Sequence, residues 1–566
     1  MYLLIAVIAV IQLLGGGSQT DVFPVVPLNE YENNILDSGG DLLKEQAALD
    51  IHFYELDLTI NPFDSTIAGS VRMHSRVLYE TETYVAHLDT LFDVHHVHYQ
   101  SDDTSVVFPL AFTHSDGLVI AQLPEVSAPG STLTITVTYT GKPRMAPNPP
   151  WEGGFTWAWT DDGKPWIGVS CQVNGADIWW PVKDHPSDRP DSVSLKFTVP
   201  DSVTAVSNGL LRSVEQRSQG TKTYHWVTNY PISNYAVTVN VGPYIELERT
   251  YKSITGETFP VYFWALPQHK VKAEQLLDQI DHQMRFLEDL LGPYPYRNEK
   301  YGVVEAPFFG MEHQTIIAYG AGYKNDTVFD TDSGFDDLHH HELSHEWWGN
   351  YVTAYDWKDF WIHEGFGTYM QPLYAEHLHG KEHYRYFMKR LYQRILNNIP
   401  VAPSESRTTR EMFEGRDIYM KGAWVLHTLR KMIGDESFFA ALREMVYPRT
   451  TERQNYAMVS ARFTDTQDFI RIVEKISDRK LDWFFTTYLR YSDLPILEKR
   501  WVNNSLILSW STPSNQEFPM PVEVCDGTHC TTVIPDGKTP LTIQYPDRLV
   551  IDPYNRVLRS GLYHQP

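Results

Sequence analysis

Cysteine is scarce in this chain, positive charge is outnumbered, and the most apolar stretch is too short to cross a bilayer comfortably. Each shortage narrows the possibilities. Of the three cysteines among 566 residues, Cys171 stands alone and is expected in the interior. Cys525 and Cys530 flank DGTH, a turn signal between two short strands. They can pair across a hairpin in an oxidising compartment or remain two free thiols. The 47 basic residues face 71 acidic ones, a net charge of −24, which repels phosphate backbones and excludes nucleic acid as a partner. The same acidity suits a site that attracts ammonium groups. Residues 2–14 are apolar except for Gln12 and run into GGGS, without a Lys or Arg before them. We read residues 1–19 as a secretory signal outside the fold, against the alternative of an anchoring apolar tail. The mature chain then has no membrane span and is exported, to the periplasm or beyond. No cysteine follows the run, so a lipid anchor has no acceptor there.

With 42% hydrophobic and 21% charged residues, the chain is globular and long enough for three or four domains. From residue 20 to 246 the dominant period is two, as in Leu133, Ile135, Val137 and Tyr139, and again in Tyr235, Val237 and Val239. Gly, Pro, Asn and Asp clusters separate such runs, the pattern of half-buried strands in an antiparallel β domain. Helical periodicity takes over near Gln268, with Val271, Leu276, Ile280, Met284, Leu287 and Leu291 recurring until GPYPY. Residues 247–495 form the second domain. Short strands with turn signals return over 496–566, as a small β-sandwich.

The chemistry concentrates in residues 335–365. His341, Glu342 and His345 spell HExxH, and Glu364 follows His345 after an 18-residue spacer. On a helix, positions i and i+4 share a face, so both imidazoles converge on one zinc ion while Glu342 is turned aside to hold a water. Two histidines and a distant glutamate leave one coordination position open, the catalytic rather than the structural pattern. Ser333 is the expected N-cap of the motif helix and Gly349 lies near its end. Glu364 opens a second helical run over 359–380, in which Pro372 is expected to cause a kink.

HELSHEWWGN followed by HEG resembles the aminopeptidase N-like zinc metallopeptidases, a gluzincin family that includes leukotriene hydrolase. The resemblance implies a multidomain α+β fold: a large N-terminal antiparallel β domain, a thermolysin-like α/β zinc catalytic domain and a small immunoglobulin-like C-terminal β-sandwich. It implies one zinc ion per chain and peptides with a free amino terminus as substrates. GMEH matches the family's GxMEN signature, which assigns substrate binding to Glu312, with Gly310 and Met311 beside it on a sheet edge. Phe309 and His313 replace the usual Gly and Asn, and His363 replaces the Asn before the third ligand. Gln172, in CQVNGADIWWP, falls where the family helps to bind the substrate amine. Tyr419, before KGA, falls at the catalytic tyrosine, with Glu342 as general base. Three rival readings share this sequence: an endopeptidase, an epoxide hydrolase like leukotriene hydrolase, and a binding module without activity. Glu346, next to His345, is expected to be a supporting or surface group rather than a ligand.

Overall fold

A computed structural model describes residues 25–101, 106–448, 462–527, 529–544 and 549–563. The expected signal segment lies outside them. Eight strands form the largest sheet, in the order Leu210–Gln216, Thr221–Thr228, Ser192–Pro200, Leu49–Asn61, Thr66–Val77, Thr132–Gly141, Phe92–Ser101 and Val107–Pro109. The long strand Leu49–Asn61 shows how sequence sets its faces. Leu49 and Ile51 are buried at its start, and Tyr54, Leu56, Leu58 and Ile60 further on. The change of phase falls at a register shift between Ile51 and Phe53, because one extra residue in a strand moves every later side chain to the other face.

This sheet is not wholly antiparallel: Leu49–Asn61 and Ser192–Pro200 pair in parallel. Parallel neighbours need a long crossover, which the intervening strands supply. Tyr235 also departs from expectation. It lies in a 3₁₀ turn, Asn234–Ala236, and the strand begins only at Val239. Tyr235, Ala236, Val237, Thr238 and Val239 are all buried, so alternation of type there does not reflect alternation of exposure.

A separate sheet has five strands, ordered Ile245–Lys252, Thr258–Ala265, Tyr301–Glu305, Ile317–Tyr319 and Gly310–Met311. Its two edges are Ile245–Lys252 and the short strand Gly310–Met311. The helix Lys270–Leu291 packs Leu276, Leu277, Ile280, Met284, Leu287 and Leu291 into the core, whereas Val271, in its first turn, is 65% exposed. Two further helices matter for the site. Trp361–His379 runs on through Pro372, and Asp417–Ile433 crosses it closely. A Cβ built on Gly365 would stand 2.8 Å from the Ile418 carbonyl oxygen and 3.1 Å from the Gly422 Cα. Two glycines thus allow backbones to approach where any side chain would separate them.

Among the described residues after Leu489 the chain forms two three-stranded antiparallel sheets. Cys525 and Cys530 are opposite each other in one of them and are joined by a disulfide. Cys171 is buried and free, and its thiol donates to the Tyr235 carbonyl at 3.3 Å. No helix among the described residues is long and apolar enough to cross a membrane.

Candidate metal and peptide site

The motif helix is short, Asp337–Ser344. Its N-cap is Asp336, whose side chain accepts the His339 N–H at 2.9 Å. Ser333, the expected cap, instead donates its hydroxyl to the carbonyls of Asn325 and Phe335. His345 is the C-cap, still in right-handed helical conformation, so His341 and His345 remain one turn apart and face the same way. Their Nε2 atoms are 3.1 Å apart. Glu364, in the first turn of Trp361–His379, places Oε2 at 3.6 Å from His341 Nε2 and 3.4 Å from His345 Nε2. Tetrahedral zinc with bonds of roughly 2.0–2.2 Å separates its ligands by about 3.3 Å, so this triangle fits the ion. Glu364 Oε2 is buried and has no hydrogen-bond partner, as expected of an atom reserved for a metal. His345 Nδ1 bonds to the Trp348 carbonyl at 2.9 Å, which makes Nε2 the free ligand atom.

The electrostatics agree with the geometry. Burial disfavours a protonated His345, yet the carboxylates of Glu364, Glu312 and Glu342 outweigh it and raise its pKa to about 10. The cluster concentrates negative charge where a cation belongs. Burial also opposes the charge on Glu364, but His345 and His341 hold its carboxyl well below the usual range. Burial and the charge of Glu312 push Glu342 well above an ordinary carboxylate.

A second cluster meets the first. Ligand-type atoms of Glu312, Glu342 and His345 all lie within 4.8 Å of one another. Glu312 is 3% exposed, follows the edge strand directly, and is raised to about 7 by burial. Gln172 Nε2 donates to Glu312 Oε1 and, at 3.1 Å, to Glu364 Oε1. It thereby joins the N-terminal β region to both clusters. Met311 is buried. Gly310 is required by space, because a Cβ there would stand 2.9 Å from Leu338 and 3.1 Å from the Glu342 carboxylate. Tyr419 lies inside the first turn of Asp417–Ile433, with its ring stacked on His341 at 6.1 Å. Burial and the charges of Glu364 and Glu312 raise its phenol well above 10, so it carries its proton at neutral pH.

Of the three departures from the expected motifs, the two histidines have separate fates. His363 accepts the Ala354 N–H at 3.0 Å through Nε2, a structural bond behind the ligand. His313 is fully buried with neither ring nitrogen bonded, and burial lowers its pKa to about 3.

Residues 51–236 match the Peptidase M1 N-terminal domain and residues 276–488 the Peptidase family M1 domain. The chain belongs to the M1 peptidase family. Among its M1 relatives, aminopeptidase N of Lactococcus lactis is 23% identical over 488 residues, 81% of this chain and 52% of that protein. Leucine aminopeptidase 2 of Vanderwaltozyma polyspora is 24% identical over 57% of this chain and 49% of its own length. Leukotriene A-4 hydrolase of Xenopus laevis is 22% identical over 49% and 45%. The chain thus spans about half the length of these relatives. The M1 zinc metallopeptidase of Deinococcus radiodurans shares the fold, with a TM-score of 0.64 at 24% identity, over 82% of this chain and 98% of that one.

One part of this M1 site was not foreseen in its full extent. Glu346 is completely buried and bonded to the loop after Glu312. Its only signal in the sequence is its place directly after His345.

Proposed function

We propose that the protein is a zinc-dependent aminopeptidase that removes the amino-terminal residue from peptides. The observation that carries this reading is the Glu312 carboxylate, buried within 4.8 Å of Glu342 and His345 beside a three-ligand triangle. An amino terminus, with a pKa near 8, is largely a cation at neutral pH. Glu312 pairs with that cation and the Gln172 side-chain oxygen accepts from it. Only the first peptide bond then reaches the metal centre. The peptide backbone lines up along the edge strand Gly310–Met311 as an added strand.

His341, His345 and Glu364 hold the zinc ion, which when bound acidifies water and polarises the scissile carbonyl. Glu342 takes the proton of the attacking water and delivers it to the leaving amine, a role suited to a carboxyl with a raised pKa. Tyr419 donates a hydrogen bond from its phenol to the oxyanion as the carbonyl becomes tetrahedral. Export is part of the same proposal, and the Cys525–Cys530 bond supports it, since such bonds persist in oxidising compartments. The matched segments 51–236 and 276–488 fall inside the proposed domains 20–246 and 247–495.

The test compares the parent, Glu342→Gln and Glu312→Ala on an aminoacyl amide and its N-acetyl form. The parent should cleave only the free amine. Glu342→Gln should retain zinc without turnover. Glu312→Ala should raise KM by roughly 10- to 100-fold, the worth of a charged hydrogen bond. Equal cleavage of both substrates by the parent would mean an endopeptidase instead.

A further inference from the structure

The loop that carries Glu312 is held in a shape it would not adopt alone. Thr315 has a φ of +62°, in the left-handed region where a β-branched residue is an outlier. Its backbone N–H donates to Glu346 Oε1 at 2.8 Å. The other oxygen of that carboxylate accepts the Tyr294 hydroxyl at 2.8 Å. Asn350 Nδ2 donates at 3.4 Å to Glu346 Oε1 and at 2.9 Å to the backbone carbonyl of Glu312 itself. The loop 312–315 is therefore fastened at both ends to the segment directly following the ligand His345.

The opposite flank is closed as well. Lys300 Nζ donates to the Thr315 carbonyl at 3.0 Å, the Gly209 N–H to Thr315 Oγ1 at 2.9 Å, and Asn208 Nδ2 to the Gln314 carbonyl at 2.7 Å. Glu346 and Thr315 are fully buried and Lys300 is 1% exposed, so bulk water does not reach these bonds. Of these contacts, only the one from Glu346 fixes the Thr315 N–H, whose direction sets φ.

We propose that Glu346 is a positioning residue: by holding Thr315 left-handed it sets the spacing between the Glu312 carboxylate and the metal centre. The inference rests on the amine-holding role of Glu312 proposed above. Glu346 adjoins His345 in the chain, so a single segment fixes both the ligand and the reach to the amine. A merely structural role would lower stability without singling out amine binding.

The experiment measures kcat, KM, zinc content and unfolding midpoint with an aminoacyl amide. Glu346→Ala should raise KM about tenfold, with kcat changed less than about threefold and zinc retained, as expected for lost ground-state and transition-state binding alike. Glu346→Gln keeps an acceptor for the Thr315 N–H and should stay near the parent. Adding Thr315→Gly to Glu346→Ala should restore KM, because glycine takes a positive φ unaided. The proposal is overturned if KM is unmoved in Glu346→Ala, or if Thr315→Gly fails to restore it in a folded, zinc-loaded protein. Should Glu346→Ala not accumulate folded, Asn350→Ala tests the same fastening at the Glu312 carbonyl, with the same rise in KM expected and an unchanged KM overturning it. Failure of the aminopeptidase reading would show separately, as an unaltered rate of the parent on N-acetylated substrate.

Discussion

Tyr419 sits against His341 with its phenol fully protonated at neutral pH, so Tyr419→Phe isolates one hydroxyl. An oxyanion donor is typically worth about 3 kcal/mol, and kcat should drop roughly 10²- to 10³-fold with little change in KM; steady-state kinetics check this. At this scale much of the site was legible. HExxH and the distant Glu364 could be read from spacing, because residues one helical turn apart must share a face. Glu312, Gln172 and Tyr419 needed the resemblance, since nothing local brings them near the histidines. Glu346 was legible only as a neighbour of His345. Its partners Thr315 and Tyr294 lie 31 and 52 residues away, a separation no periodicity encodes.

Helices and their ends carry two further expectations. Asp336 caps the motif helix while 2% exposed, and burial raises its pKa from 3.8 to about 7 against the bonds from Tyr319 and His339. Between those values the folded protein keeps a proton that the unfolded chain has released, so stability falls as pH rises through that window. Asp336→Asn retains an acceptor and cannot ionise. Its unfolding midpoint should fall less than the parent's between about pH 4 and about pH 7. The second expectation concerns the crossing at Gly365 and Gly422. Gly365→Ala drives a methyl into the Ile418 carbonyl, which should cost about 1–3 kcal/mol of stability. Turnover should fall too, because Glu364 and Tyr419 adjoin that contact on the two helices; calorimetry and a rate assay on the same sample check both. The HExxH spacing marked the motif helix, but its expected cap was Ser333. Ser and Asp are both good caps, and which one serves depends on where the incoming loop lies.

Across the whole molecule the site belongs to no single layer. Gln172 reaches it from the N-terminal β region, and Arg189 from the same region donates to the Asn350 carbonyl at 2.6 Å. The terminal sheets are remote from these contacts by sequence and share none of the site residues. The Cys525–Cys530 bond closes a short loop, with a separation of 5, and is worth roughly 2 kcal/mol to that region by chain entropy. The double variant Cys525→Ser, Cys530→Ser should lower the unfolding midpoint while kcat/KM stays as in the parent. The order of β, mixed and β regions was plain in the change of period. The parallel pairing inside the first sheet was not, because pairing direction depends on how distant strands meet rather than on their composition. The edge strand Gly310–Met311 spans two residues. Unpaired strands invite other chains to dock and grow into aggregates, but so brief a margin offers too few main-chain groups to seed fibrous stacking. A peptide bound as proposed would find room there for its leading residues, and a stray neighbour little to grip.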